Sequence, residues 1–496
     1  MMCLSNGTLS SLPDKVRRPT YDRARLATGI VHLGIGNFHR AHQAEFTDDV
    51  LGLPDASLEW GITGVSLRSP SVRDALAPQD GLYTVVQRDG SGAKARIIGS
   101  VHQVLVNQEG PAAVLDAMTD QRVRIVSLTV TEKGYCHDPA TGGLDESHPA
   151  IVADLAHPDR PGSAIGLLAE ALDRRRRSGI PPFTVLTCDN LPSNGDTVRK
   201  LVLRFAGLRG PDLARWVEDT VTFPNTMVDR IVPATTDADR AEVAGLLGVE
   251  DAWPVAAEPF RQWVIEDRFT AGRPEWDRVG AQLVSDVAPF ELMKLRLLNG
   301  SHSTLAYLGV LAGHETVDAV MAVPSFARLI RSLMADELAP TVPPPPDTDM
   351  AAYQAALCER FTNPALKHRT RQIAMDGSQK LPQRLLEPAR DRLSAGGSLP
   401  LIALGVAGWC RYVGGVDEAG QPISVDDPLA DRLRAASDSA NDPAGKVAAL
   451  LAVQEVFGTD LARSDRFVAP VTEAYESLVT NGAAATVEAW AARSRR

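Results

Sequence analysis

The sequence predicts an α/β protein in two domains: a Rossmann-type, doubly wound N-terminal domain over residues 1–287 and a mainly α-helical C-terminal domain over residues 288–496. Three observations carry this. The 496 residues exceed what one core holds, at a prior of about 100–200 residues per domain. Short β-branched runs alternate with helical patterns through the first half, the order that builds a mainly parallel sheet covered by helices. From about Ala288 onward helical spacing persists while strands become scarce.

The first run, GIVHLGIGN, is apolar and broken by glycines, and FHRAHQAEFTDDVL after it reads as one helix. The chain therefore opens on strand, tight turn and helix. WGITGVSL, RVRIVSLTV and FTVLTCDN supply further strands, with GPAAVLDAM and SAIGLLAEALDRRRR as helices beside them. The run Arg174 to Arg177 ends the second of these helices, where positive charge complements the helix dipole and is expected to stay solvated. In the second half FELMKLRLLNGSHSTLAYLGVL, SFARLIRSLMADEL and DMAAYQAALCERF all have helical spacing. Pro343 to Pro346 cannot be helical and reads as a rigid connector inside that domain.

Composition excludes several classes. The 44% hydrophobic and 23% charged fractions are those of a globular protein. A net charge of −11 without a basic stripe repels a phosphate backbone, so no nucleic-acid partner is expected. Cys3, Cys136, Cys188, Cys358 and Cys410 are scattered and form no C-x-x-C pair, which indicates neither a disulfide framework nor a thiolate zinc site. The N-terminal residues have no apolar core of signal-peptide length, and the longest apolar stretch, Leu399 to Cys410, is about half a membrane span. A cytoplasmic protein without a membrane partner is expected.

In the first strand-turn-helix unit, Gly34-Ile35-Gly36-Asn37-Phe38-His39 satisfies two positions of the dinucleotide fingerprint and misses the third glycine. Its place between a buried strand and a helix suits a pyrophosphate, yet the pattern alone leaves a cofactor turn and a structural turn equally open. The second strand runs into Arg68 and Ser69 instead of the acid that would hold an adenosine ribose, so NAD and NADP both stay open. His39 and His42 lack a third ligand of recognisable spacing, which favours a role at the cofactor or in packing over a metal pair.

The stretch Glu291-Leu-Met-Lys294-Leu-Arg-Leu-Leu-Asn299-Gly300-Ser301-His302 is the most informative. At about 100° per residue, Asn299 stands about 140° and His302 about 80° around an α-helix from Lys294, so the three can project toward one side. On spacing alone a lysine on an apolar helix more often snorkels to solvent than sits in a cleft.

Together the segments IVHLGIGNFHRAHQA, VSLTVTEKGYC, CDNLPSNG, TMVDRIVPATT, EPFRQWVIED, FELMKLRLLNGSHS and HRTRQIAMDGSQKLPQR resemble the mannitol dehydrogenase family of long-chain polyol dehydrogenases, across nearly the whole chain. TEKGYC, EPFRQWVIED and QIAMDGSQKLPQR resemble most its fructuronate reductase branch, also called D-mannonate oxidoreductase. The resemblance implies a metal-independent, NAD-dependent oxidoreductase, often monomeric, that interconverts a secondary alcohol of a linear sugar acid or polyol with its ketone. Mannitol 2-dehydrogenase is the alternative within the family, and a ligand-binding relative that lost its chemistry is the remote one.

It further implies roles by position. Lys294 matches the catalytic lysine, which exchanges the alcohol proton, and removal from water favours the neutral base that this step needs. Asn299, His302 and Asn190 match groups around the reacting oxygen, where N–H donors stabilise alkoxide character. Glu291 matches a position linked to proton exchange with solvent. Gly34, Gly36, Asn37, Phe38, His39, Arg40, Arg68, Thr131 and Asn190 are the candidate cofactor contacts. Asp229, Arg230, Lys133, Arg371 and Lys380 are the candidate substrate contacts, and of these Lys133, Arg371 and Lys380 are the cations able to meet a sugar-acid carboxylate.

Overall fold

The computed structural model describes residues 2–90, 92–138, 141–365 and 367–493. The chain divides into two units, Met1–Ala288 and Pro289–Arg496, and each follows from its own sequence pattern.

In the first unit the apolar runs become β1 (Thr28–Leu33), β2 (Gly61–Ser66), β3 (Tyr83–Asp89), β4 (Gly92–Ile98), β5 (Val101–Val106), β6 (Ile125–Leu128), β7 (Thr184–Thr187), β8 (Thr226–Asp229), β9 (Val255–Ala257), β10 (Gln262–Glu266) and β11 (Gln282–Val284). The central sheet has the order β5-β2-β1-β6-β7 and every pair in it is parallel. Its register sets Ile30 opposite Ile125 and His32 opposite Ser127. Two three-stranded sheets, β4-β3-β9 and β11-β10-β8, stand beside it.

Alternation along these strands divides the core into two. Val31, Leu33, Val126, Leu128 and Val185 join one apolar cluster with Leu168 and Leu172, while Ile30, Ile62, Ile125 and Leu186 join another with Phe46 and Trp263. Period-2 side chains that are apolar on both faces require cover on both faces, and each fully buried aliphatic side chain contributes about 1.5–3 kcal/mol. The helix Ala164–Arg177 provides part of this cover. Its N-cap Ser163 accepts the Gly166 N–H at 2.9 Å, and Ser163 is itself fixed by Asp154 at 2.5 Å. The expectation of a solvated arginine run is corrected at one position: Arg175 is buried and donates to the carbonyls of Met118, Asp120 and Val123, because these chain ends need donors that water does not reach.

The second unit is helical. Its centre is the helix Ser301–Leu311, in which every residue is buried, packed against the helix Pro400–Val413 and the helical segment Asp465–Arg493, which is kinked at Gly482. Pro343–Pro345 carry no helix. The apolar run after Leu399 is a buried helix of this core, and among the described residues no helix is long and apolar enough to cross a membrane. Among the described residues three π-helical segments, Lys294–Gly300, Leu333–Leu338 and Pro382–Leu386, interrupt the α-helices of this unit. The first packs on both of the others.

Candidate active site

The parallel sheet changes direction of winding at β1, whose neighbours are β2 on one side and β6 on the other. The carboxyl ends of such strands form the crevice where open α/β sheets bind ligands. Gly34 leaves β1 with φ +94, and its amide and that of Ile35 both donate to the Val65 carbonyl, at 2.8 and 3.2 Å. A Cβ on Gly34 would lie 2.7 Å from the Thr129 carbonyl carbon. Gly36 is exposed, and a Cβ there would meet nothing nearer than the Gly34 carbonyl oxygen at 3.9 Å. The two glycines thus have different causes, close backbone packing at the first and an open surface at the second.

One helix after this turn is not what forms. Asn37–Ala41 and Gln43–Leu51 are separate helices broken at His42, with φ −127 and ψ −87. The His42 ring accounts for the break: Nε2 bonds the Gln262 carbonyl oxygen at 2.8 Å, and the ring stacks on Phe38 and meets Trp263 edge-on. Asn37 and Phe38 stay half-buried at the turn. His39 and Arg40 face inward. His39 is stacked on His32 with centroids 3.4 Å apart, bonds Gln43 at 2.9 Å, and burial holds its pKa down at about 3. Arg40 is fully buried and donates to the Trp253 carbonyl at 2.6 Å and to Asn37 at 2.7 Å.

The later strand ends supply the rest of this edge. Arg68 is exposed beyond β2, Thr131 beyond β6 and Asn190 beyond β7. Thr131 has φ +65, a strained value for a β-branched residue, and the cause is Asp189. Its carboxylate accepts the N–H groups of Val130 and Thr131 at 2.8 and 3.1 Å and the Tyr135 hydroxyl at 2.7 Å. Asp189 thereby fixes both the loop that carries the exposed Lys133 and the backbone next to Asn190. Its sequence neighbourhood, CDN, drew attention to Asn190 alone.

Asp229 ends β8, Arg230 follows it, and both are buried. Arg230 pairs with Glu45 at 2.5 Å, donates twice to the Glu258 carbonyl at 3.0 and 2.8 Å and bonds the Ala41 carbonyl. A guanidinium so committed holds the unit together.

In the second unit Lys294 is 8% exposed and His302 7%, while Glu291 and Asn299 are half-buried. The α-helical spacing expected here is replaced by the π-helix Lys294–Gly300. Under i→i+5 pairing Asn299 comes about one full turn after Lys294, so the amide and the ammonium share a face more closely than an α-helix allows. His302 stacks on Phe361, with centroids 5.0 Å apart, and meets His368 edge-on at 4.9 Å. Burial first, then His368, Arg384, Arg360 and Lys380, holds His302 well below its ordinary pKa, so the ring is neutral. Its Nε2 is buried without a hydrogen-bond partner among the described residues.

Lys380 donates to the Met375 carbonyl at 2.6 Å and reaches the Ile373 carbonyl at 3.5 Å, and Arg371 is exposed. Sequence reasoning gave no role to Arg360, His368 and Arg384; His368 and Arg384 are the two ends of the HRTRQIAMDGSQKLPQR segment, and all three come beside His302 only by folding. Among the described residues no group of three His, Cys, Asp or Glu side chains is arranged to hold a metal ion.

A parallel sheet with a glycine turn at its switch point, followed by a helical unit with a buried lysine, defines a Rossmann-type oxidoreductase with an appended helical domain. Residues 28–278 match the Mannitol dehydrogenase Rossmann domain and residues 286–479 the Mannitol dehydrogenase C-terminal domain, and the chain belongs to the mannitol dehydrogenase family. It is 50% identical over 484 residues to the D-mannonate oxidoreductase of Escherichia coli K12, covering 97% of this chain and 99% of that one. It is 44% identical over 478 residues to the mannitol 2-dehydrogenase of Cereibacter sphaeroides, covering 95% and 98%. The solved ternary complex of Pseudomonas fluorescens mannitol 2-dehydrogenase with NAD and D-mannitol superposes with a TM-score of 0.87 at 41% identity, over 98% of this chain and 99% of that one.

Proposed function

We propose that the chain is an NAD-dependent fructuronate reductase, converting D-fructuronate and NADH to D-mannonate and NAD. The observation that carries the chemistry is the burial of Lys294 at the head of a π-turn it shares with Asn299. An amine held out of bulk water on the same helical turn as an amide can exchange one proton with a substrate oxygen.

NAD, when bound, supplies or accepts the hydride. The residues present fit it: Gly34 brings the first turn against β6, and the open surface over Gly36 leaves a place for a pyrophosphate. The remaining work falls to side chains. In the reductive direction Lys294 gives its proton to the ketone oxygen as the carbon receives hydride, and in oxidation it takes that proton back. The Asn299 amide and a His302 ring kept neutral by burial donate to the same oxygen and stabilise its alkoxide character. Asn190 is proposed as a further amide toward that oxygen, and Glu291, half-buried three residues before Lys294, as the proton's route to solvent.

The choice of a sugar acid is supported by the Lys133-bearing TEKGYC segment and by the 50% identity to a D-mannonate oxidoreductase. Mannitol 2-dehydrogenase, at 44%, is the second reading. Steady-state turnover of fructuronate, fructose and mannitol with NADH or NAD, and with their phosphorylated counterparts, tests the choice. Higher kcat/KM with fructuronate and NADH is the expected result, and a clear preference for fructose would replace the first reading with the second.

A further inference from the structure

We propose that Arg384 receives the carboxylate of the substrate. This rests on the sugar-acid reading above and adds a residue that the sequence left unassigned. The three cations legible in the sequence are less suited to the task. Lys133 and Arg371 are exposed. The Lys380 ammonium is spent on the turn before it, through the Met375 and Ile373 carbonyls and Asp376 at 4.0 Å.

Arg384 is differently placed. It lies in the π-helical segment Pro382–Leu386, whose backbone presses on the segment that begins at Lys294: a Cβ on Gly300 would stand 2.8 Å from the Arg384 carbonyl oxygen. Its side chain returns to the helix after Gly300, where Nη1 donates to Ser303 Oγ at 3.1 Å. The guanidinium is therefore half-buried beside His302, and its charge acts on both His302 and Tyr307.

Length agrees with this placement. Ser303 is four residues beyond Asn299, about 6 Å along a helix at 1.5 Å per residue. In an extended 5-oxohexonate the carboxylate is four carbon–carbon bonds from the ketone carbon, about 5 Å at ordinary bond lengths. A ketone oxygen held at Lys294, Asn299 and His302 thus leaves the carboxylate near the Arg384 fork, whose geometry matches a carboxylate bidentately. Arg360, 9% exposed, and Lys380 also act on His302 and add to a positive field suited to an anion.

The test compares kcat/KM for fructuronate and for fructose, both with NADH, in the full-length enzyme and in its Arg384→Gln and Arg384→Lys variants, with thermal melting as a check on folding. The ratio of fructuronate to fructose is expected to fall about 100-fold in Arg384→Gln, with most of the loss in KM, and about tenfold in Arg384→Lys, which keeps charge and loses the fork. A ratio within about threefold of the parent in both variants, at any absolute activity, would place the carboxylate elsewhere while leaving the sugar-acid reading intact. A parent enzyme that prefers fructose would remove that reading and this one together. If Arg384→Gln does not fold, Arg384→Lys decides alone on the same ratio.

Discussion

Glu337 and Ile402 are joined by a hydrogen bond of 2.7 Å from the backbone N–H to the carboxylate, and the same carboxylate accepts the Leu401 N–H at 2.9 Å. The first N–H groups of a helix have no partner inside it, so Glu337, from a π-helical segment, caps the helix Pro400–Val413. Burial raises its pKa from 4.5 to about 7, against the lowering by these two N–H groups.

A pH dependence follows. An acid whose folded pKa is raised favours folding fully below its unfolded value, and that contribution is lost as pH rises through the folded value. Between pH 4.5 and about 7 Glu337 should therefore withdraw about 3 kcal/mol of stability. Glu337→Gln, which cannot ionise, should gain on the parent as pH rises from 5 to 8. Denaturant melts at both pH values measure the gain, and parallel curves would mean that Glu337 stays ionised throughout.

The two glycines of the first turn should respond differently to alanine. Gly34→Ala combines a positive φ with a Cβ driven against the Thr129 backbone, which costs about 1–2 kcal/mol in conformation alone before any clash. Its melting temperature should fall by several degrees and NADH binding should weaken with it. Gly36→Ala, at φ −92 with open space around it, should melt like the parent and still bind NADH more weakly, because the methyl group occupies the surface proposed for the pyrophosphate. Fluorescence titration beside thermal melting separates the cases, and parental affinity in Gly36→Ala would move the nucleotide away from this turn.

How much of this was legible depends on how local each cause is. β1, β2, β6 and β7 follow from β-branched runs, and the C-terminal helices from their spacing, because each is a property of a few neighbouring residues. The sheet β4-β3-β9 was not read, since β9 joins β3 from 170 residues away, Val85 opposite Val255. The inward turn of Arg230 depends on Glu45, 185 residues distant, and that of Arg40 on Trp253. Lys294 was legible through its motif, but the π-turn was not: α and π pairing differ by one residue, and an apolar run such as LRLL accommodates either.

Removing the Lys294 amine should abolish chemistry and spare binding. Lys294→Ala is expected to lose about 10²–10⁴ in kcat while NADH affinity stays within about twofold, since the nucleotide turn belongs to the other unit. Single-turnover reduction of fructuronate, followed at the NADH absorbance, reads the chemical step directly. Parental rates in this variant would remove the lysine from the mechanism.

The π-turn itself can be tested at Gly300. The segments Lys294–Gly300 and Pro382–Leu386 meet where this residue has no side chain, and an added Cβ would sit 2.8 Å from the Arg384 carbonyl oxygen and 3.5 Å from Leu338 Cδ1. The first contact is with backbone, so the strain cannot be relieved by a rotamer change, and one helical segment must move against the other. Lys294 and Asn299 ride on the segment that moves. Because misplacement of a reacting group by about 1 Å costs about 10²-fold in rate, Gly300→Ala should lower kcat for fructuronate by about 10–100-fold while NADH binding persists. A variant that melts several degrees lower yet keeps parental kcat would show that the π-turn stabilises the unit without setting the geometry of the lysine.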